Sequence, residues 1–303
     1  MKTILITGAS GFVGRYLAKV LLDQNNAVIG LGTSSAHPFE QIYDAFTWIS
    51  ADTGLPGPWQ NRVQEADVII NLAGRNIFNP WTRAYKKAIY DSRVKTTQNL
   101  VAALPNAWSG LFFSASAAGY YGDRGDTPLS ETDLCGTDFL AMVCRDWEAR
   151  AQSAAQKGAR VLVMRFGVVL GQGGGALNLM GKAFKCFVGG PLGSGRQWFP
   201  WIHIQDLCQA VLFLLSGEHQ GVFNFTGPVA TRQKAFAHAL GSALKRPAFM
   251  PAPAMMVKLF LGELGASLLQ SQKALPVALE KSGFKFGYRT VKEALDSIYS
   301  PLV

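Results

Sequence analysis

Three glycines near the start of the chain have the spacing needed to hold a diphosphate group. Gly8, Gly11 and Gly14 form Gly-x-x-Gly-x-x-Gly, directly after a short apolar segment and directly before residues with helical periodicity. Such glycines allow a tight turn and let the backbone approach a pyrophosphate without a Cβ in the way, while the helix adds free N–H groups and a positive dipole end. The pattern therefore predicts a dinucleotide-binding loop. Its assigned residues are Gly8, Ser10, Gly11, Phe12, Val13, Gly14 and Arg15.

The residues after the second predicted strand indicate which nicotinamide dinucleotide fits. Residues 31–35 read Leu-Gly-Thr-Ser-Ser, and no acidic residue follows before Glu40. A carboxylate at this place binds both ribose hydroxyls of NAD and repels the 2′-phosphate of NADP. Its absence favours NADP. The hydroxyls of Thr33 and Ser34 can donate to that phosphate, and Arg15 can supply the positive charge.

An alternation of strands and helices positions these residues. Near-continuous apolar runs are typical of strands buried on both faces of a parallel sheet, and the segments between them have helical spacing. This rhythm predicts an α/β fold of the Rossmann type, a doubly wound parallel sheet. The predicted strands are residues 4–7, 27–31, 46–49, 68–72, 111–116 and 160–166, and the predicted helices are 12–23, 82–104 and 138–157.

The second half of the chain differs from the first in its sequence pattern and contains two glycine-rich loops, at residues 171–175 and 189–195. We expect residues 1–170 to form the NADP-binding domain, with later strands returning to its sheet. Residues 171–303 are expected to form mostly a smaller substrate-binding region, including a C-terminal helical domain at about 250–298. Further predicted elements are helices 176–187, 232–244, 254–269 and 291–299, strands 201–204 and 222–225, and a helix 206–215 with Asp206 as its N-cap.

Arg196 follows the second glycine-rich loop and is the candidate substrate-binding residue. A guanidinium binds carboxylate or phosphate through two parallel hydrogen bonds, so this assignment implies an anionic substrate.

The composition of the chain indicates which kinds of partner the protein is expected to bind. The net charge is +9, but the 29 basic residues are scattered and no run exceeds two, whereas nucleic-acid-binding proteins usually cluster their charge. The longest apolar stretch, residues 248–269, contains two prolines and two charges, and is not expected to span a membrane. Four cysteines without metal-like spacing suggest reduced thiols. We therefore expect a cytoplasmic protein with a small-molecule substrate and no metal, nucleic-acid or membrane partner. The oligomeric state stays open.

Three further segments, together with the glycine spacing, resemble the extended short-chain dehydrogenase/reductase superfamily. They are Asn71-Leu72-Ala73-Gly74, residues 114–122 with their serines and Tyr-Tyr-Gly, and residues 201–206. Segments at 144–148, 165–170 and 189–197 also resemble the atypical members known as YfcH-type "epimerase family" proteins, which carry a C-terminal helical domain. The resemblance covers nearly the whole chain. It implies a nicotinamide cofactor, with Asn71, Leu72, Ala73 and Gly74 flanking the adenine and ribose.

The chain departs from that superfamily at its usual catalytic pair. Most members carry Tyr-x-x-x-Lys on the helix after the fifth strand, where tyrosine is the acid or base and lysine lowers its pKa and holds the ribose. Here Leu140 and Cys144 stand at those positions, and neither can do this chemistry. Arg145 on this helix is available to bind phosphate or ribose in place of the lysine, and the alternative is a surface role. The one literal match, Tyr288 to Lys292, follows no cofactor-binding strand, and we attribute it to chance.

Ser116, Tyr120 and Tyr121 are the remaining candidates for catalysis. Ser116 can hydrogen-bond a substrate carbonyl while one tyrosine donates a proton. Alternatively, the serine satisfies backbone groups and the tyrosines pack over the cofactor. Two functions follow. One is an NADP-dependent oxidoreductase or epimerase acting on a small carbonyl or sugar-like compound, and the other is a non-catalytic NADPH-binding regulatory or sensor protein.

Overall fold

The central element of the computed structural model, which describes residues 1–300, is a parallel sheet of seven strands. The strands of the chain are β1 (Thr3–Thr7), β2 (Ala27–Gly32), β3 (Phe46–Ser50), β4 (Val68–Asn71), β5 (Leu111–Ala117), β6 (Pro128–Leu129), β7 (Arg160–Phe166), β8 (Val168–Leu170), β9 (Trp201–His203), β10 (Gly221–Phe225) and β11 (Lys273–Ala274). The sheet has the order β3-β2-β1-β4-β5-β7-β10. The strand order reverses between β1 and β4, so a crevice opens there at the carboxyl ends of the strands.

Helices cover both faces of this sheet. They are α1 (Phe12–Asp23), α2 (Arg83–Ala103), α3 (Phe139–Gln152), α4 (Gly175–Lys185), α5 (Ile204–Ser216), α6 (Gln233–Leu244), α7 (Ala254–Leu268), α8 (Val277–Lys281) and α9 (Val291–Tyr299). Successive side chains of a strand point to opposite faces. Ile4 and Ile6 of β1 accordingly pack with α1 and α5, whereas Leu5 packs with α2 and α3. The doubly wound Rossmann fold predicted from the sequence is therefore confirmed.

The second half of the chain is tied to the sheet at several places. Strand β10 pairs with β7 and forms one edge of the sheet. Two short parallel pairs also link later segments to earlier ones: β11 pairs with β6, and β9 pairs with β8. Helices α4, α6 and α9 share a separate apolar cluster. Residues 301–303, at the end of the predicted substrate-binding region, lie outside the described residues.

No helix found between residues 1 and 300 combines the length and apolar character needed to cross a bilayer.

The start of α5 differs from the prediction. Strand β9 ends at His203, and α5 begins at Ile204, so the strand predicted through residue 204 is too long by one residue. His203 is the N-cap, because its Nδ1 accepts a hydrogen bond from the Gln205 N–H at 3.2 Å. The predicted N-cap, Asp206, lies inside the first turn and accepts hydrogen bonds from the backbone N–H groups of Gly287 and Tyr288. An imidazole nitrogen can accept a hydrogen bond from a backbone N–H as a carboxylate does. The usual preference for aspartate at N-caps therefore led to the wrong residue.

Candidate cofactor and substrate site

The three glycines of the first loop meet three different requirements. Gly8 has φ +69°, which glycine adopts without strain, and a Cβ there would lie 3.0 Å from the Leu72 carbonyl carbon. A Cβ on Gly14 would lie 2.3 Å from the Gly8 oxygen and 2.7 Å from the Ala9 Cα, so Gly14 is required for packing of α1 on the loop. A Cβ on the exposed Gly11 would meet only the Gly8 oxygen, at 3.0 Å. The outer side of Gly11 is therefore open to a ligand.

The first turn of α1 presents unpaired donors at this loop. Gly11 is the N-cap and has no side chain to cap the helix. The backbone N–H groups of Phe12, Val13 and Gly14 find no backbone acceptor in residues 1–300. Free N–H groups at a helix N-terminus, with the helix dipole behind them, suit an anionic pyrophosphate.

The polar groups predicted to bind the 2′-phosphate of NADP are accessible to solvent. Thr33, Ser34 and Arg15 are all exposed, and Ser10 Oγ lies beside the end of β2, 3.0 Å from where a Cβ on Gly32 would be. Within the described chain, Arg15 takes part in no ion pair. A hydroxyl-rich strand end with an unpaired guanidinium nearby fits a phosphate.

His37 is a neighbour of this region that the sequence did not single out. Its side chain is 3% exposed, its Nδ1 accepts from the Phe39 N–H at 3.2 Å, and its Nε2 is buried without a partner in residues 1–300. The ring packs against Phe46 and Trp48. Burial lowers the pKa of His37, helped by the charge of Arg15.

The end of β4 is held by a chain of buried hydrogen bonds. Thr7 Oγ1 donates to Asn71 Oδ1 at 2.7 Å, and Asn71 Nδ2 donates to Thr97 Oγ1 on α2 at 2.7 Å. The Ala73 N–H donates back to Thr7 Oγ1. Asn71 thus positions the segment through Leu72 and Ala73, while its own side chain is fully buried.

Ser116 and Tyr121 belong to one buried polar network beneath the crevice. Ser116 Oγ donates to Glu148 Oε1 at 2.6 Å. Arg165 binds both oxygens of Glu148, from Nε and Nη2, at 2.8 Å each, and donates from Nη1 to the Tyr121 hydroxyl at 3.0 Å. The Tyr121 hydroxyl donates to Asn224 Oδ1 at 2.7 Å, and burial raises its pKa to about 12. The hydroxyls of Ser116 and Tyr121 therefore both donate their protons within this network.

Tyr120 is placed differently from its neighbour. Its ring lies over the Arg165 guanidinium, whose Cζ is 3.4 Å from the ring centroid. The side chain is half-buried, and its hydroxyl donates no hydrogen bond to any group in residues 1–300. Burial raises the pKa of this phenol, and the charge of Arg165 opposes that effect. Tyr120 is therefore a phenol with an uncommitted proton next to a fixed cation.

Helix α3 offers no cation to this network at the predicted positions. Cys144 is buried, and burial raises the pKa of its thiol to about 12, so the thiol stays neutral. Leu140 packs near Gly119. The side chain of Arg145 is more than half exposed and pairs with the adjacent Asp146 at 2.9 Å.

A family model for the NAD-dependent epimerases and dehydratases matches residues 4–225, most of the chain. The chain belongs to the NAD-dependent epimerase/dehydratase family. A second model, for a domain of unknown function, matches residues 252–298. The resemblance drawn from the sequence motifs is thereby confirmed.

Relatives in this epimerase/dehydratase family extend over the whole chain. The "epimerase family protein SDR39U1 homolog, chloroplastic" of Arabidopsis thaliana is 40% identical over 98% of this chain and 86% of its own length. An epimerase family protein of Staphylococcus aureus is 37% identical over 99% of this chain and 100% of its own. Human epimerase family protein SDR39U1 (isoform 2), crystallised with NADPH, has a TM-score of 0.86 at 30% identity, covering 99% of this chain and 100% of its own.

A more distant structure shares the fold alone. UDP-glucuronic acid 4-epimerase from Bacillus cereus, in complex with UDP-glucuronic acid and NAD, has a TM-score of 0.80 at 18% identity, with 98% of each chain covered.

In this epimerase/dehydratase-family chain the predicted site residues fall into separate groups. The glycine loop and the segment 71–74 meet at the switch point, since Gly8 contacts Leu72. Ser116 and Tyr121 are buried, and Tyr120 lies above them. Arg196 is exposed in the loop before β9 and shares no partner with that network. Its carbonyl accepts a hydrogen bond from Arg232, which also stacks on Trp198.

Sequence reasoning about this family member missed the ion pair at the centre of the network. Arg165 is the only charged residue inside the apolar part of β7, and Glu148 lies on the buried face of α3. Opposite charges on two buried surfaces could have indicated the pair, because a buried charge is not tolerated without a partner. No comparable signal marks His37.

Proposed function

We propose that this protein binds NADP(H) across the switch point and uses it to oxidise, reduce or epimerise a small carbonyl or sugar-like compound. The observation that carries the proposal is Tyr120, just after β5, whose ring stacks on the buried Arg165 guanidinium and whose hydroxyl donates no hydrogen bond within residues 1–300. The human relative that was crystallised with NADPH supports the cofactor class.

In this proposal the glycine loop binds the pyrophosphate, and the bound cofactor supplies or accepts a hydride. Tyr120 exchanges a proton with the substrate oxygen. Arg165 stabilises the phenolate that forms, in the role that a lysine has in other short-chain dehydrogenases. Ser116 cannot donate to a substrate carbonyl without breaking its 2.6 Å bond to Glu148, so we assign it to holding the Glu148–Arg165 pair.

Three features extend the proposal to cofactor preference, substrate charge and location. Thr33, Ser34 and Arg15 form an acid-free, partly basic strand end, which favours NADP over NAD. Arg196 is exposed and free to bind an anionic substrate group. All four cysteines are free thiols, which agrees with a reducing compartment such as the cytoplasm.

A sensor without turnover is the second candidate. It is favoured by Leu140 and Cys144, which remove the superfamily's usual acid and cation from α3, and by the burial of Ser116 and Tyr121.

Substitution of Tyr120 by phenylalanine distinguishes the enzyme from the sensor. We expect Tyr120→Phe to lower turnover by a factor on the order of 10²–10⁴, the usual value of a positioned proton donor. NADPH affinity should barely change. The assay follows NADPH absorbance with a panel of carbonyl compounds that includes nucleotide sugars, and fluorescence titration measures the affinity.

Tyr288→Phe is the matched control, because Tyr288 packs on His203 and donates to Gln205, and shares no partner with the network of Arg165. Its turnover should equal that of the wild type. Full turnover in Tyr120→Phe would remove Tyr120 from the mechanism. A wild-type protein that binds NADPH but consumes none of the panel would favour the sensor, and equal affinity for NADH would contradict the NADP preference.

A further inference from the structure

Arg93 on α2 carries a charge that no side chain of the described chain balances. Its guanidinium forms one hydrogen bond, from Nη1 to the Ile89 carbonyl at 3.0 Å. It belongs to none of the ion pairs within residues 1–300. Burial lowers its pKa from the usual value. A partly buried cation without an ion-pair partner is costly, so its retention here requires an explanation.

The position of this guanidinium is fixed by its neighbours at the end of β4. Arg93 lies one helical turn before Thr97, whose hydroxyl accepts from Asn71 and donates to the Arg93 carbonyl. A Cβ on Gly74 would lie 3.0 Å from the Arg93 Cζ, so the guanidinium lies against the backbone of Gly74 and would have to shift if a side chain were added there. The charge therefore lies at the carboxyl edge of the sheet, next to the crevice.

Trp147 provides a second, independent observation at the same place. The Arg93 Cζ is 5.4 Å from the centre of the Trp147 ring, which is 5% exposed. The indole Nε1–H is buried and has no acceptor in the described part of the chain. Of these two neighbouring donor groups, the indole N–H thus has no acceptor and the guanidinium has only the Ile89 carbonyl, and a ligand rich in oxygen would supply further acceptors.

The orientation of a bound dinucleotide follows from the loop and the end of β2. If the first turn of α1 binds the pyrophosphate and Thr33 and Ser34 bind the adenosine ribose, the second nucleoside must cross the switch point toward β4 and β5. Its ribose carries hydroxyls that accept hydrogen bonds. The neutral thiol of Cys144 supplies no charge there, and Arg165 is already paired with Glu148, so Arg93 is the cation at this end that has a charge to offer.

We propose that Arg93 binds the ribose of the nicotinamide nucleoside and so holds the reactive half of the cofactor at the end of β5. The inference rests on the proposed binding of NADP(H). It assigns a cofactor-binding role to a helix, α2, in which the sequence indicated none.

The test compares two ligands on the full-length protein by calorimetric titration. One is NADPH, and the other is 2′-phosphoadenosine 5′-diphosphate, which contains the pyrophosphate and adenosine parts but lacks the nicotinamide nucleoside. Arg93→Gln should weaken NADPH binding roughly 10- to 100-fold, the range for a hydrogen bond to a charged group. Affinity for the shorter ligand should stay within about twofold of wild type.

Two further variants complete the experiment. Arg93→Lys keeps the charge and should recover most of the NADPH affinity, whereas Lys95→Gln removes an exposed charge from the same helix and should change neither affinity. Equal weakening of both ligands in Arg93→Gln would indicate a structural role and overturn the inference, as would unchanged NADPH binding. A wild-type protein that binds neither ligand would instead overturn the proposed function.

Discussion

Gly11 and Gly14 belong to one loop, yet their surroundings predict opposite effects of adding a side chain. A Cβ on Gly11 has a single neighbour, the Gly8 oxygen at 3.0 Å, and Gly11 has φ −72°, which any residue adopts. A Cβ on Gly14 would overlap both Gly8 and Ala9. In the proposed assignment the first position serves the ligand, and the second serves the fold.

We therefore expect Gly11→Val to abolish NADPH binding with little change in the free energy of unfolding. Gly14→Ala should lower that free energy by about 1–3 kcal/mol, the usual cost of overpacking. Calorimetric titration and urea unfolding measure the two effects. Intact binding by a folded Gly11→Val protein would contradict the assignment of the loop to the pyrophosphate.

At the scale of elements, the Glu148–Arg165 pair joins α3 to β7, and Ser116 joins both to β5. Loss of one partner of such a pair leaves a buried charge unbalanced, which costs far more than loss of an exposed pair. We expect Glu148→Gln to lower the free energy of unfolding by about 3–5 kcal/mol in urea.

Glu65→Gln is the control for this change, because Glu65 pairs with Arg62 at 2.8 Å on the surface. It should cost less than about 1 kcal/mol. A similar loss in both variants would show that the buried network contributes no more than a surface pair.

Local features of the sequence predicted the elements well, and long-range features were missed. Strand β7 is a run of apolar residues and was predicted with its observed bounds, as was α1. The two-residue strands β6 and β11 have no periodicity to detect. In the site, the glycine loop is contiguous and could be predicted, whereas the Tyr121–Asn224 bond joins residues 103 positions apart. Only the folded topology brings such residues together.

At the scale of the whole molecule, His203 makes global stability depend on pH. Burial lowers its pKa to about 4, whereas an unfolded histidine titrates near 6.5. Below about pH 6.5 the unfolded chain binds one more proton than the folded chain, so stability falls as the pH falls toward 4. The loss is about 1.4 kcal/mol per pH unit from this one group.

Urea unfolding at pH 7 and pH 5 measures this loss, to which the buried His37 also contributes in the same direction. His203→Asn keeps an N-cap acceptor and should reduce the difference between the two pH values by on the order of 2 kcal/mol. His238→Asn changes an exposed histidine and should leave the difference as in wild type. An unchanged difference in His203→Asn would refute the contribution of His203.

The late return of β10 to the sheet has a consequence for biosynthesis. While the nascent chain has emerged only as far as β7, that strand is an open edge with unpaired backbone groups, which can pair with another chain. The partner of the Tyr121 hydroxyl, Asn224, has also not yet been translated. Native closure must therefore wait for residue 225 to leave the ribosome, and a chain arrested before that point is exposed to aggregation and to chaperones.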